Sequence, residues 1–240
     1  VSLMGNFGEV RLGRELTAAY NTMLGYDVFG QVGIGQNFSF SQSRQSNMVS
    51  YYTPNMSGFT AGVNYGFGEV AGDSSSGRYI GLSAAYNNGP LSVGDGFDQL
   101  NDPSAVADKR QTLGLGASYN FGAFKLSGLI RQEQLTPVGG GDKSKLQSAQ
   151  LGATMPVGSA GEARVAYNYY DNKDVDGKAH QLSLGYVHNL SKRTAVYGTY
   201  AFLKNQKSET FGVAANGLGI QAPAGGKNVN ALTVGIRHAF

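Results

Sequence analysis

Apolar side chains recur at every second position through most of this 240-residue chain, the period of a β-strand with one apolar and one polar face. At the C-terminal end Leu232, Val234, Ile236, His238 and Phe240 share a side, while Thr233, Gly235 and Arg237 share the other. In the middle, Leu113, Leu115, Ala117, Tyr119 and Phe121 oppose Thr112, Gly114, Gly116, Ser118 and Asn120. The same alternation runs from Phe59 to Phe67, Ile80 to Tyr86, Phe124 to Ile130, Leu151 to Met155, Ala163 to Tyr167 and Leu182 to Tyr186. It predicts strands near 1–5, 9–14, 47–53, 59–68, 78–87, 91–97, 110–120, 123–133, 146–156, 162–171, 178–189, 194–204 and 229–240.

The connections between these thirteen segments alternate between short and long. The short ones are Asn6-Phe7-Gly8, 54–58, Asn88-Gly89-Pro90, the turn at Phe121-Gly122, 157–161 and 189–193. The long ones are 15–46, 69–77, 98–109, 134–145, 172–177 and 205–228. In an up-and-down meander alternate connections lie at the same end, so tight turns gather at one rim and long loops at the other. An apolar face this wide needs a cover, and the sequence offers no amphipathic helix to supply it. A sandwich or lipid remains. Sandwiches bring Greek-key connections and no reason for such asymmetry, whereas strands of about ten residues with short turns at one end describe a transmembrane β-barrel of the outer membrane. Periodicity does not say which face points inward. The face of Gly, Ser, Thr, Asn and Arg suits a water-filled lumen.

Composition agrees. Gly accounts for 36 residues and Tyr plus Phe for 14 and 12, with no Trp; that Gly content is about twice the usual share. Charged residues make up 15%, against about a quarter in a typical domain. No run of 18 apolar residues exists, so no helix is expected to span a membrane. The absence of Cys excludes thiolate metal sites, a cysteine nucleophile and disulfides. A net charge of +3, from 19 basic and 16 acidic residues, is too slight for a nucleic-acid partner. The chain opens Val1-Ser2-Leu3-Met4-Gly5, so a signal peptide is expected to have been removed or to lie outside it.

Three stretches resemble the general porins of Gram-negative bacteria, in particular the trimeric sixteen-stranded kind of beta-proteobacteria. The run from Gly5-Asn6-Phe7-Gly8 through Arg11-Leu12-Gly13-Arg14 looks like the strand, turn and strand leading into that family's constriction loop. Arg44-Gln45-Ser46-Asn47-Met48-Val49-Ser50-Tyr51-Tyr52-Thr53-Pro54, followed by Ser57-Gly58-Phe59, is similar to the stretch leaving that loop. Gly235-Ile236-Arg237-His238-Ala239-Phe240 resembles the family's terminus, whose last Phe is read by the barrel-assembly machinery. The resemblance covers the whole chain and implies about three and a half strands before Val1. Residues 1–240 are therefore expected to form one porin β-barrel domain lacking its first three to four strands. Thirteen strands alone would be odd in number and would leave two unpaired edges in lipid, which is costly.

The 32-residue connection 15–46 is far longer than a hairpin needs. Its Leu24, Tyr26, Val28, Phe29, Val32, Ile34, Phe38 and Phe40 are too apolar for a solvated tip, and the resemblance implies a constriction loop folded into the lumen. By the same resemblance Arg14 and Arg44, with Arg11, match the basic cluster facing that loop, and Asp27 and Glu15 its acidic side. Arginine stays charged at any relevant pH. Strict alternation, however, places Arg14 with Val10 and Leu12, so a bulge or bend at Gly13 is needed to turn it inward. The alternative is that Arg14 and Arg44 end strands and snorkel to the interface. Parity also puts Lys125, Arg131, Arg164 and Arg237 in the lumen, with Glu9 and Glu133. A lumen richer in Arg and Lys than in carboxylates favours anions.

Other motifs fail. Asn172-Lys173-Asp174-Val175-Asp176-Gly177 opens like a calcium loop, but Ser183 stands where the closing Glu belongs. Gly225-Gly226-Lys227 lacks the spacing and hydroxyl of a phosphate loop, and Asn55-Met56-Ser57 and Asn189-Leu190-Ser191 are sequons without meaning in a bacterial barrel. His180, His188 and His238 lie on strands, and no Ser stands in a nucleophile motif. The expectation is a passive, non-enzymatic diffusion channel for small hydrophilic solutes and ions, weakly anion-selective, with no cofactor and no metal. Its expected partners are a homotrimer, outer-membrane lipid and lipopolysaccharide, and the assembly machinery at Phe240. The alternative is an adhesin or receptor barrel acting through loops 98–109 and 205–228.

Overall fold

The computed structural model describes residues 1–31, 33–37, 42–102, 107–174, 177–215, 218–220 and 224–240. Its elements follow the alternation closely: β1 (Ser2–Gly5), β2 (Gly8–Leu16), α1 (Ala18–Leu24), β3 (Arg44–Tyr52), β4 (Phe59–Gly66), β5 (Tyr79–Asn88), β6 (Leu91–Asn101) and β7 (Ala107–Asn120). There follow β8 (Lys125–Pro137), β9 (Ser144–Val157), β10 (Gly161–Asn172), β11 (Gly177–Asn189), β12 (Thr194–Asn205), β13 (Val213–Ala215), β14 (Leu218–Ile220) and β15 (Val229–His238). Thirteen of the strands form one sheet in chain order, β1 to β12 and then β15. β13 and β14 pair only with each other, inside the connection from β12 to β15.

The strands outrun their predicted ends on the long-loop side. β6 continues to Asn101 and β7 begins at Ala107, while β8 runs to Pro137 and β9 starts at Ser144. Residues 98–101 and 107–109 of one predicted loop, and 134–137 and 144–145 of the other, are thus strand. The apolar alternation marks only the stretch of each strand that has an apolar environment, and backbone pairing continues beyond it.

Burial resolves which face is which. Ser50, Asn64, Asn168, Gln181 and Ser183 are no more than 1% exposed. On the other face Leu82, Leu113, Leu115, Ile130, Leu151, Leu182, Leu184, Leu232, Val234 and Ile236 stand open. Leaving a large aliphatic side chain in water forgoes about 1.5–3 kcal/mol, so these ten alone would outweigh the 5–15 kcal/mol that is the usual stability of a domain. The face is stable only against an apolar solvent. Aromatic rings cluster toward the strand ends: Phe121 stacks on Phe124 with centroids 4.8 Å apart beside a short turn, and Tyr65 meets Phe67 edge-on at 4.9 Å beside a long loop. Such positions match the interfacial girdles of membrane barrels.

Contacts divide the chain into two units, 1–25 with 39–117 and 130–146, and 26–38 with 118–129 and 147–240. In the first, α1 packs on β5 and β6. In the second, residues 26–31 and 33–37 lie on the polar face of β9, β10 and β11.

Candidate functional site

Within the first unit, the connection leaving β2 turns at once into α1. Thr17 takes the N-cap position with extended backbone (φ −66°, ψ 154°) but makes no side-chain cap; its hydroxyl donates to the Gln42 carbonyl at 3.0 Å. The first amides of a helix lack partners of their own, and here the sheet supplies them. Ala18 N–H donates to the Tyr79 hydroxyl at 2.8 Å and Ala19 N–H to Asp98 Oδ1 at 3.1 Å. Tyr79 in turn donates to the same Oδ1 at 2.5 Å. Ala18, Ala19 and Met23 are buried against the sheet. No local signal announced this helix, because its caps come from residues some 60 and 80 positions away.

Within the second unit the loop is held by a ladder of amides and hydroxyls. Val28 N–H donates to Gln150 Oε1 at 2.8 Å, Asn37 Nδ2 to Asn168 Oδ1 at 3.1 Å, Ser148 Oγ to Asn37 Oδ1 at 2.9 Å and Gln181 Nε2 to the Ile34 carbonyl at 2.9 Å. Val28 and Phe29 are buried with Ala166. Of the loop's other expected apolar residues, Tyr26 and Ile34 are buried, whereas Val32, Phe38 and Phe40 fall outside the described residues.

Asp27, expected as the acidic side of a constriction, is instead turned into the loop. Its Oδ1 accepts from Phe29 N–H at 2.7 Å. Its Oδ2 accepts from Gln31 Nε2 and Asn37 N–H, both at 2.7 Å, and from Gln150 Nε2 at 3.3 Å. With 6% of the residue exposed, this carboxylate organises the loop rather than presenting charge to solvent.

The basic residues expected at the pore divide into two sets. Arg11 is chelated by Glu9 through two bonds of 2.8 Å, lies 3.7 Å from Glu15, and covers the Tyr52 ring at 4.6 Å. Glu15 itself accepts from Ser50 and, at 3.5 Å, from Tyr52. Arg131 pairs with Glu133 at 3.5 Å and Arg164 with Glu162 at 2.6 Å. All three pairs are two residues apart on one strand, where the pleat puts both side chains on the same face. That rule was readable from the sequence and cancels much of the positive charge expected of these strands.

The second set is Arg14, Arg44, Lys125 and Arg237, none of which has an ion-pair partner among the described residues. The β2–β3 register shifts between Gly13 and Glu15, with Gly13 at φ 117° and Asn47 at φ 52°, but the extra residue stands on β3, between Gln45 and Met48, and Glu15 keeps to the face of Arg11. Arg14 donates to Ser46 Oγ at 3.1 Å, and Arg44 lies opposite Leu16. Both are exposed. Half-buried Lys125 is two residues from buried Ser127, and Arg237 lies opposite buried Ala195. Phe240 is exposed, its ring edge-on to His238 at 5.1 Å.

Elsewhere, Phe211 stacks on buried Tyr170 at 5.4 Å and donates its N–H to Asn205 Oδ1 at 3.1 Å, so the connection after β12 folds back rather than standing free. Burial in that connection pushes the Glu209 carboxyl above its usual range, although Asn172 Nδ2 bonds it at 3.1 Å. In the calcium-like stretch Asp174 N–H donates to Asn172 Oδ1 at 3.1 Å, and Val175 and Asp176 lie outside the described residues. The histidines are partnered by Tyr167, Tyr186 and Thr194.

An antiparallel meander with an open apolar face, a covered polar face and a long loop laid along the latter defines the class of transmembrane β-channels. Comparison with known proteins gives the family. The model for Gram-negative porins matches residues 1–208. The chain is 48% identical to outer membrane porin protein 32 of Delftia acidovorans, over all of this chain and 72% of that protein. It is 31% identical to an outer membrane porin protein of Bordetella pertussis, over 87% of this chain and 68% of that one. The solved structure of the anion-selective porin from Comamonas acidovorans superposes with a TM-score of 0.85 at 44% identity, covering all of this chain and 76% of that one. The chain belongs to the Gram-negative porins. It is an integral β-barrel protein of the outer membrane, and its family and fold are those of a passive channel.

Proposed function

We propose that this porin admits small hydrophilic solutes with a preference for anions, and that residues 15–46 form its constriction loop. The observation that carries the preference is a set of basic residues without an acidic partner among the described residues. Asp27 is saturated by donors within the loop and from Gln150, and three carboxylates are matched by Arg11, Arg131 and Arg164. Arg14, Arg44, Lys125 and Arg237 are not offset among the described residues. A fixed guanidinium biases permeating ions over roughly a Debye length, about 8–10 Å at ordinary salt, which is the scale of a narrow aqueous pore. The solved anion-selective relative supports the same sign.

The mechanism is diffusion down a gradient, with the rate set by the width beside the loop and the field across it. Homotrimer formation, contact with lipid and lipopolysaccharide, and recognition of Phe240 by the assembly machinery belong to the same reading. The test is the double substitution Arg14→Gln with Arg44→Gln, recorded in a planar bilayer under a salt gradient. The reversal potential should move toward cations; an unmoved potential would remove both arginines from the field.

A further inference from the structure

Helix α1 sits on a part of the sheet shaped to receive it. A Cβ placed on Gly96 would lie 2.7 Å from Ala19 Cα and 2.9 Å from the Ala18 carbonyl oxygen. One on Gly114 would lie 2.8 Å from Met23 Sδ and Cε, and one on Gly81 would lie 3.0 Å from Ala18 Cβ and 2.3 Å from the Tyr79 hydroxyl. None of the three has a positive φ. Their backbone would suit any residue, so what they provide is space for α1. Above this seat, Tyr79 and Asp98 hold the two leading amides of the helix, which has no side-chain cap of its own.

We propose that Tyr79 and Asp98, with the glycine seat at Gly81, Gly96 and Gly114, are positioning residues that set how far α1 stands from the wall, and so the width left for a solute. This rests on reading 15–46 as the constriction loop. Both parts keep α1 against the wall. Filling the seat lifts the helix away from the sheet. Removing the clamp frees its leading end.

The chemistry of the clamp is specific. Asp98 Oδ1 takes both the Ala19 amide and the Tyr79 hydroxyl, whereas Oδ2 has no hydrogen-bond partner among the described residues. An amide at this position keeps the oxygen that matters, so Asp98→Asn should retain the clamp and Asp98→Ala should not. A merely structural need for a charge would treat the two alike.

The experiment is single-channel recording of the intact protein, together with the relative rate of disaccharide and pentose permeation into proteoliposomes. Gly96→Ala must widen a 2.7 Å approach to at least the 3.4 Å of ordinary contact. Displacing a constricting element by about 1 Å should remove on the order of a tenth or more of the conductance and lower the disaccharide rate relative to the pentose. Asp98→Ala, which releases the leading end from the wall, should lower the mean conductance and the disaccharide ratio in the same sense and add rapid flicker that Gly96→Ala lacks. Tyr79→Phe is the second clamp variant should Asp98→Ala not assemble, and Asp98→Asn should match the wild type. A rise in conductance in the seat variant, or no shift in either the seat or the clamp variant, would overturn the proposal. A wild-type protein that does not conduct would instead overturn the channel reading itself.

Discussion

Replacing Asp27 by Asn tests how the loop is held. The carboxylate collects four donors, three of them on Oδ2. In the least damaging orientation Asn keeps its oxygen at the Oδ2 position and sets its NH2 against Phe29 N–H. Three charge-assisted bonds then become neutral, a difference of about 1 kcal/mol each, and one buried N–H is left without an acceptor at about 1–3 kcal/mol. Neighbouring losses are not additive, and about 3–5 kcal/mol is a reasonable total. At 1.4 kcal/mol per decade, the ratio of docked to undocked loop falls by roughly two to three and a half orders of magnitude. Hydrogen exchange at the amides of Phe29 and Asn37 should accelerate by that factor, and single channels should become noisier and larger on average. The reversal potential should move less than it does on losing Arg14 and Arg44, because the carboxylate is buried. A quiet channel of unchanged conductance with a large anionic displacement would refute the reasoning and put the charge in the pore.

Three further outcomes are expected. The Glu209 carboxyl is raised by burial, so the folded connection binds its proton more tightly than the unfolded one. Its docking should strengthen as pH falls from above the usual carboxylate range down to it, and gain nothing below. Exchange at the Phe211 amide measures this, with Glu209→Gln giving a flat profile; Asp174 is the like charge that adds to the effect. Asp95 lies opposite Ala84, between Val93 and Phe97, on the exposed apolar side of β6. Asp95→Leu should raise stability in lipid by about 1–2 kcal/mol, read as resistance to urea; a loss would show that this face does not meet lipid. Deleting the middle of the 15–46 loop should enlarge conductance, and an unchanged value would place the loop outside the pore.

The fold was legible because period-two alternation is a local property, and thirteen predicted segments correspond to the thirteen strands of the main sheet. Rim asymmetry was legible only in part. Strands such as β6 and β7 continue past the apolar pattern, so residues 98–101 and 107–109 of the expected loop are strand. Parity placed Arg11, Arg131 and Arg164 on a common face, but parity alone does not say that each is paired; the carboxylates two positions away on the same strand decide it. Asp27 was out of reach for another reason. Its partner Gln150 is 123 residues away, and no spacing rule connects them. Arg14 is a middle case: a break in register appears beside it at Gly13 and Asn47, but the extra residue stands on β3 rather than on the strand that carries Arg14.

The central claim is an aqueous pore whose free fixed charge is positive. The most direct measurement is the reversal potential of the intact, wild-type protein in a neutral planar bilayer under a potassium chloride gradient. The account predicts a conducting channel with a potential on the chloride side of zero. A potential on the potassium side would contradict it, and would place the dominant charge on carboxylates other than Asp27.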